Sequence, residues 1–173
     1  AVVADLADRA AEHRAVWEAA AVADLQEVLD GLFALEDVIK ETKLGHPVGH
    51  IDCEAEHCAE DAEGLPGSDS TGWIADNLAG FELLFTGGDG LGIDDLLISV
   101  GGQDVVDSTL AHVATAEQMA LDLDGSVAEA IAADEAAVEA LYAEIDLIDE
   151  YLRNDITTLL LLQIPAESAG DND

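Results

Sequence analysis

Basic residues are nearly missing from this sequence. Five Lys and Arg stand against 39 Asp and Glu in 173 residues, a formal charge of −34. That shortage excludes ordinary nucleic-acid binding, which neutralises phosphates with clustered cations. It also argues against docking on anionic membrane surfaces. Aromatic residues make up only 4%, and there are three Pro and two Cys. The isolated pair Cys53 and Cys58 does not fix a redox compartment. No run of 18 apolar residues occurs, so no transmembrane segment is expected. No basic stretch followed by an apolar run opens the chain, so no signal peptide is expected there. Ala1 falls inside a stretch that reads as helix, which leaves room for upstream sequence. No β-alternation and no β-branched run of strand length appears, which removes the β classes.

What remains is apolar and helical. Half the residues are hydrophobic and the mean hydropathy is +0.19. High charge goes with disorder only where apolar residues are scarce, so the expectation is a folded core inside an anionic shell. The length fits one domain, spanning residues 1–173. Lys occurs only at Lys40 and Lys43, Asp and Ala are abundant, and aromatics are few. That is the composition of a salt-adapted protein, in which concentrated salt screens self-repulsion. The alternative is that part of the acidic surface binds cations.

Apolar spacing sets out the elements. Leu25, Val28, Leu29, Leu32, Leu35 and Ile39, with Phe33 beside them, give a helix within residues 1–43, with a weak point at Asp30-Gly31. Gly45 and Pro47 are expected to end it. Residues 45–69 mix Gly, Pro, His, Cys and acids without periodicity and read as a long loop, a frequent place for function. Ser70 is the expected N-cap of a helix over 71–86, striped by Ile74, Asn77, Leu78, Phe81, Leu84 and Phe85. A short helix follows at 93–99. Next comes a helix at 103–123 carrying Val106, Leu110, Val113, Ala120 and Leu121. The last helix runs from 134 to 162, Pro165 stops it, and residues 165–173 form a tail. The predicted fold is all-α: an up-and-down four-helix bundle with one long crossover loop and a short extra helix.

The loop holds the densest chemistry. His46, His50, Cys53, His57 and Cys58 fall within thirteen residues. Imidazole and thiolate suit zinc or another transition metal, although Cys-x4-Cys is not the Cys-x2-Cys of common structural zinc sites. Three readings stay open here. The cysteines form a short disulfide among surface histidines, or they are free thiols, or the loop holds iron or zinc. In the metal reading His46, His50, His57 and Glu60 are the candidate ligands, because His57-Cys58-Ala59-Glu60 is a His-x-x-Glu pair. A ferritin-like di-iron centre needs two Glu-x-x-His motifs and two further Glu, all on helices; Glu54-x-x-His57 is a single one in a loop-like segment, so that centre is excluded. Asn77 lies on an apolar stripe, where a buried amide must be hydrogen-bonded; it reads as a core amide or a ligand-binding group. Glu117 lies between Val113 and Ala120, as a carboxylate at the edge of the core. His112 and Met119 cannot bracket one haem iron from seven residues apart on one helix. No P-loop, nucleophile elbow or dinucleotide fingerprint occurs.

In order along the chain, several segments carry a resemblance. The run from Leu35 to Gly49, ending Gly45-His46-Pro47-Val48-Gly49, resembles the helix end and Gly-x-Pro-x-Gly turn of imelysin-like proteins. Glu63, Ser70 and Asn77-Leu78-Ala79-Gly80-Phe81 follow the Glu…Ser…Asn order of that family. Gly92-Ile93-Asp94-Asp95-Leu96-Leu97 is similar to its Gly-Leu-Asp-Asp-Leu-Leu stretch. Leu147 to Asp155 and Gly170 to Asp173 resemble its last helix and acidic tail. The likeness covers nearly the whole chain and corresponds to the second half of a typical imelysin-like chain.

The resemblance implies a cell-envelope protein, periplasmic or surface-exposed, associated with iron or haem acquisition. It implies a partner, the first helical half, from the same precursor or a second chain. The family's Gly-x-His-x-x-Glu motif is missing; its nearest match, Ala55 to Glu60, has Ala for the Gly, and Gly67 stands where the family often has Ser. The expectation is therefore a binding or accessory module that is not catalytic by itself. Peptidase activity is a weaker reading resting on the family alone. A ligand-free structural or interaction bundle is the reading from a different class.

Overall fold

The computed structural model describes residues 25–55, 57–64, 67–165 and 168. Residues 1–24 of the helix expected over 1–43, and residues 169–173 of the expected tail, lie outside the described residues. Among the described residues there are five helices and no strand.

Helix α1 begins at Leu25–Ala34, widens to π geometry over Leu35–Gly45 and closes with the turn His46–Val48. The expected weak point at Gly31 stays α-helical. The expected end at Gly45 and Pro47 is corrected: the chain stays helical to Val48, and Gly49 ends it at φ 92°. Pro47 stands in the last turn of this continuous helix, where its missing N–H removes one bond just before the helix ends at Gly49. Gly45 is buried, and a Cβ there would stand 2.8 Å from Ile51 Cδ1. This glycine lets the following loop fold back onto the helix.

Helix α2 spans Ser70–Thr86, α3 Ile93–Ser99 and α4 Gln103–Asp122. Helix α5 runs Val127–Glu150, continues in π geometry over Tyr151–Ile156 and ends with Thr157–Leu160. Its expected start at residue 134 marks a break rather than the beginning. Asp134 leaves helical geometry at φ −157° and its carboxylate accepts from Ala137 N, as a second cap inside the helix. The true start is a capping box, Ser126 with Glu129.

α1 packs on α2, α2 on α4, α4 on α5 and α5 on α1, a closed ring around one core, while α3 bridges α2 and α4. Leu29, Leu32, Ile74, Leu78, Val113, Leu141 and Ile145 are fully buried in it. Leu84 and Leu121, expected on buried stripes, are 38% and 56% exposed.

Ser70 does not cap its own helix. Asp69 does, accepting from Gly72 N at 3.2 Å. Buried Ser70 instead turns its Oγ to Val127 N, 2.9 Å away, the first N–H of α5. Thr71 Oγ1 is within 3.0 Å of Leu123 O and 2.9 Å of Gly125 O. The first turn of α2 thus ties down the α4–α5 connection. Ser70→Ala leaves a buried helix-terminal N–H without an acceptor, and urea unfolding should find it about 1–2 kcal/mol less stable. A loss within error would show that water replaces the hydroxyl.

Candidate functional site

Along α5, Glu135, Glu139, Tyr142, Asp146, Asp149 and Arg153 recur at steps of four and three residues. Such steps place them on one helix face. That face meets α1 and the 49–69 loop. His57 Nδ1 approaches Glu135 Oε1 within 3.8 Å. His50 Nε2 lies 2.8 Å from Glu139 Oε2, and its ring sits 4.7 Å from that of Tyr142. Lys40 Nζ is 2.6 Å from Asp146 Oδ1 and 3.3 Å from Asp149 Oδ2.

The stripe is exposed at one end and buried at the other. Glu135 and Glu139 are about two-fifths exposed, whereas the Asp149 side chain is 3% and the Glu36 side chain 1% exposed. Arg153 bridges these two buried carboxylates. Its Nη2 donates to Glu36 Oε1, and its Nε to Asp149 Oδ2 at 3.0 Å. Its Nη1 donates to Ser168 O at 2.7 Å, and the guanidinium stands 5.8 Å from the Phe33 ring centre. Glu36 Oε2 and Asp149 Oδ1 are buried, with no hydrogen-bond partner among the described residues. Burial raises the Asp149 carboxyl above its ordinary 3.8, against the pull of Lys40. For Lys40 burial is the largest influence and acts downward. The hydrogen bond to Asp146 and the charges of Asp149 and Asp146 outweigh it, leaving the ammonium above its ordinary 10.5. Both helices are π-helical where this clasp forms, at Leu35–Gly45 and Tyr151–Ile156. Such segments cluster at functional sites.

The predicted site residues separate into several places. Cys53 and Cys58 are joined in a disulfide, with Cα atoms 5.9 Å apart. His46 is half-buried in the last turn of α1, and Glu60 is exposed in the short 3₁₀ turn Ala59–Asp61. Among the described residues no group of three or more His, Cys, Asp or Glu stands close enough to hold a metal ion. Glu60 and Glu63 do come together with Ser126 and Glu129, lining a cleft of about 360 Å³ at the start of α5. Glu63 also pairs with Lys43, whose Nζ lies 5.9 Å from the Trp73 ring centre. Ser70 stands at the same helix start, through Val127 N. Asn77 is half-buried and lines a groove between α1 and α2. Glu117 is half-buried on α4 and belongs to neither cluster. His112 Nδ1 is 2.7 Å from Glu144 Oε1.

Sequence reasoning missed the clasp, although its signal was present. Glu36 falls four residues after Leu32 and three before Ile39, and Asp149 falls between Ile145 and Leu152 in the same way. Both are charges at core register, as Asn77 is an amide near it.

The disulfide closes a six-residue loop. By loop entropy its loss, as Cys53→Ser with Cys58→Ser, should cost about 2 kcal/mol in urea unfolding. An unchanged midpoint would mean that the histidine contacts alone hold the loop.

Comparison of the chain with family models, with curated proteins and with solved structures gives no match.

Proposed function

We propose that the chain is an imelysin-like cell-envelope module that acts by association, as the accessory half of an iron- or haem-acquisition protein, and is not catalytic by itself. The observation that carries this reading is how the ionisable side chains are engaged. Each of the described cations, Lys40, Lys43 and Arg153, is held in an internal ion pair. His50, His57 and His112 each face a glutamate. Lys40 and Arg153 tie α1 to α5, and His50 and His57 tie the loop to α5. The disulfide supports an extracytoplasmic location, since such bonds persist in oxidising compartments. Iron ligands, on this reading, are completed by the first helical half.

The test is metal retention by the chain alone. Purified without chelators and equilibrated with ferric iron or zinc, it should retain less than one equivalent, and its melting temperature should not move. Binding to the native state stabilises by mass action, so stoichiometric metal with a raised melting temperature would make the chain a self-sufficient metal binder. The second reading, a ligand-free interaction bundle, is favoured by the engagement of His50 and His57 with α5. It differs in predicting no iron even when the other half is present.

A further inference from the structure

Arg153 reaches Glu36 of α1 and Asp149 of α5 with neighbouring donors. Its Nε and Nη2 lie on one edge of the planar guanidinium fork. Nε meets Asp149 Oδ2 and Nη2 meets Glu36 Oε1, so that edge draws the two carboxylates side by side. Lys40 also reaches Asp149 through Oδ2, at 3.3 Å. The described cations therefore use one oxygen of each carboxylate. The other two, Asp149 Oδ1 and Glu36 Oε2, are buried without a hydrogen-bond partner among the described residues.

The charges at this seam do not balance. Lys40 stands closer to Asp146, at 2.6 Å, and Asp146 is 42% exposed. Arg153 then meets two buried carboxylates with one positive charge. A buried charge left without a partner neutralises by taking a proton. Two carboxylates drawn together oppose each other's ionisation in the same way. The other ionisable groups on the packed elements do not supply a cation. On α5, Glu150 adds a negative charge beside Asp149. From α4, His112 is engaged with Glu144 at 2.7 Å, and from α2, Asp76 lines the groove beside Leu35 and Val38. A metal ion would be repelled by Lys40 and Arg153. A proton instead turns one bare acceptor into a donor.

We propose that Glu36 and Asp149 share a single proton, as a carboxyl–carboxylate pair held by Arg153, and that this proton closes the seam between α1 and α5. It comes from solvent and returns there as pH rises; an O–H bond is the only bond made or broken. Carboxylates of the unfolded chain ionise near about pH 4. The folded chain then holds one proton more than the unfolded chain in the weakly acidic range, so stability falls as pH rises until the pair releases it. The inference concerns this chain alone and does not depend on a partner half.

The test is urea unfolding of the full chain in about 1 M KCl, where surface repulsion is screened. Wild type, Glu36→Gln and Asp149→Asn are compared from about pH 5 to about pH 8, above the ordinary carboxylate range. Relative to either variant, the wild-type unfolding constant should grow by up to about tenfold per pH unit over the interval in which the shared proton leaves. Each variant keeps one carboxylate for one guanidinium and so loses that interval. An interval that survives in one variant would overturn the sharing and assign the proton to the carboxyl that remains. Parallel curves for all three would overturn it as well. Replacing KCl by tetramethylammonium chloride at equal ionic strength should leave the interval in place; its displacement would mean that the bare oxygens hold potassium. Infrared spectra of wild type give a check free of mutation. One neutral-carboxyl band per chain should persist above about pH 5, where surface acids are ionised. Its absence would overturn the proposal even if neither variant folds.

Discussion

In a potassium chloride series the melting temperature climbs steeply between about 0.1 and 1 M, as the screening length falls from about 10 to 3 Å. The cause is the imbalance of 39 acids against five bases. The fold sharpens the effect, because Lys40, Lys43 and Arg153 are engaged in internal ion pairs. These leave the acidic outer faces of the helices without cations from this set. Each kcal/mol of lost repulsion is worth about 2–4 °C at this chain length, so a gain of several kcal/mol appears as a shift of about 10 °C or more. Acid should mimic salt near about pH 4.5, where carboxylates begin to protonate. Asp149 adds to that trend. Its folded-state value is raised by burial, so its stabilising contribution is complete below 3.8 and is lost as pH rises through the folded value. Glu129 opposes it at lower pH. The Ser126 backbone N–H, and then its hydroxyl, hold that carboxyl below 4.5, so its contribution fades as pH falls through the folded value. Stability in low salt should therefore peak on the acid side of neutrality. A melting temperature flat across the salt series would show that the acidity is no salt adaptation and would favour a cation-binding surface.

Arg153→Met should be the most damaging single substitution of the clasp. Among the described residues the guanidinium alone bonds both Glu36 and Asp149, and their remaining oxygens have no partner there. Removing it leaves two buried carboxylates, with Lys40 beside Asp149. Breaking a buried ion pair from one side costs about 3–5 kcal/mol. The triple replacement Glu36→Leu, Asp149→Leu and Arg153→Met removes the desolvated charges altogether and should recover most of that loss. Urea unfolding of the single and triple variants in molar salt separates the two effects. A cost below about 1 kcal/mol for Arg153→Met would mean that water reaches the clasp and that it is no buried network.

The helices were legible where apolar spacing is strong. The stripe through Leu29, Leu32 and Ile39 is part of the core that forms, and Val138, Leu141 and Ile145 of the helix expected from 134 join it there. Helix boundaries were less legible, for tertiary reasons. Gly45 and Pro47 read as terminators, yet Gly45 is packed against Ile51 and the helix runs through Pro47 to Val48. Ser70 read as a cap and is one, but for the helix 57 residues further on, a pairing that no local pattern encodes. Leu84 matched the stripe of α2 but lies 38% exposed at the groove between α1 and α2. The cysteine spacing left disulfide, metal and free thiols open; three-dimensional placement joins the two sulfurs and turns His50 and His57 toward α5. The clasp itself was hidden because a lone charge at core register names no partner. Glu36 and Arg153 are 117 residues apart, and only the packing of α1 against α5 brings them together.

The central claim, an accessory half that functions with a first helical bundle, is tested most directly by intact mass and gel filtration of the natural material in high salt. The account predicts that the chain occurs with that first bundle, within a longer polypeptide or in a one-to-one complex. A lone, monomeric, natively initiated product of 173 residues would contradict it.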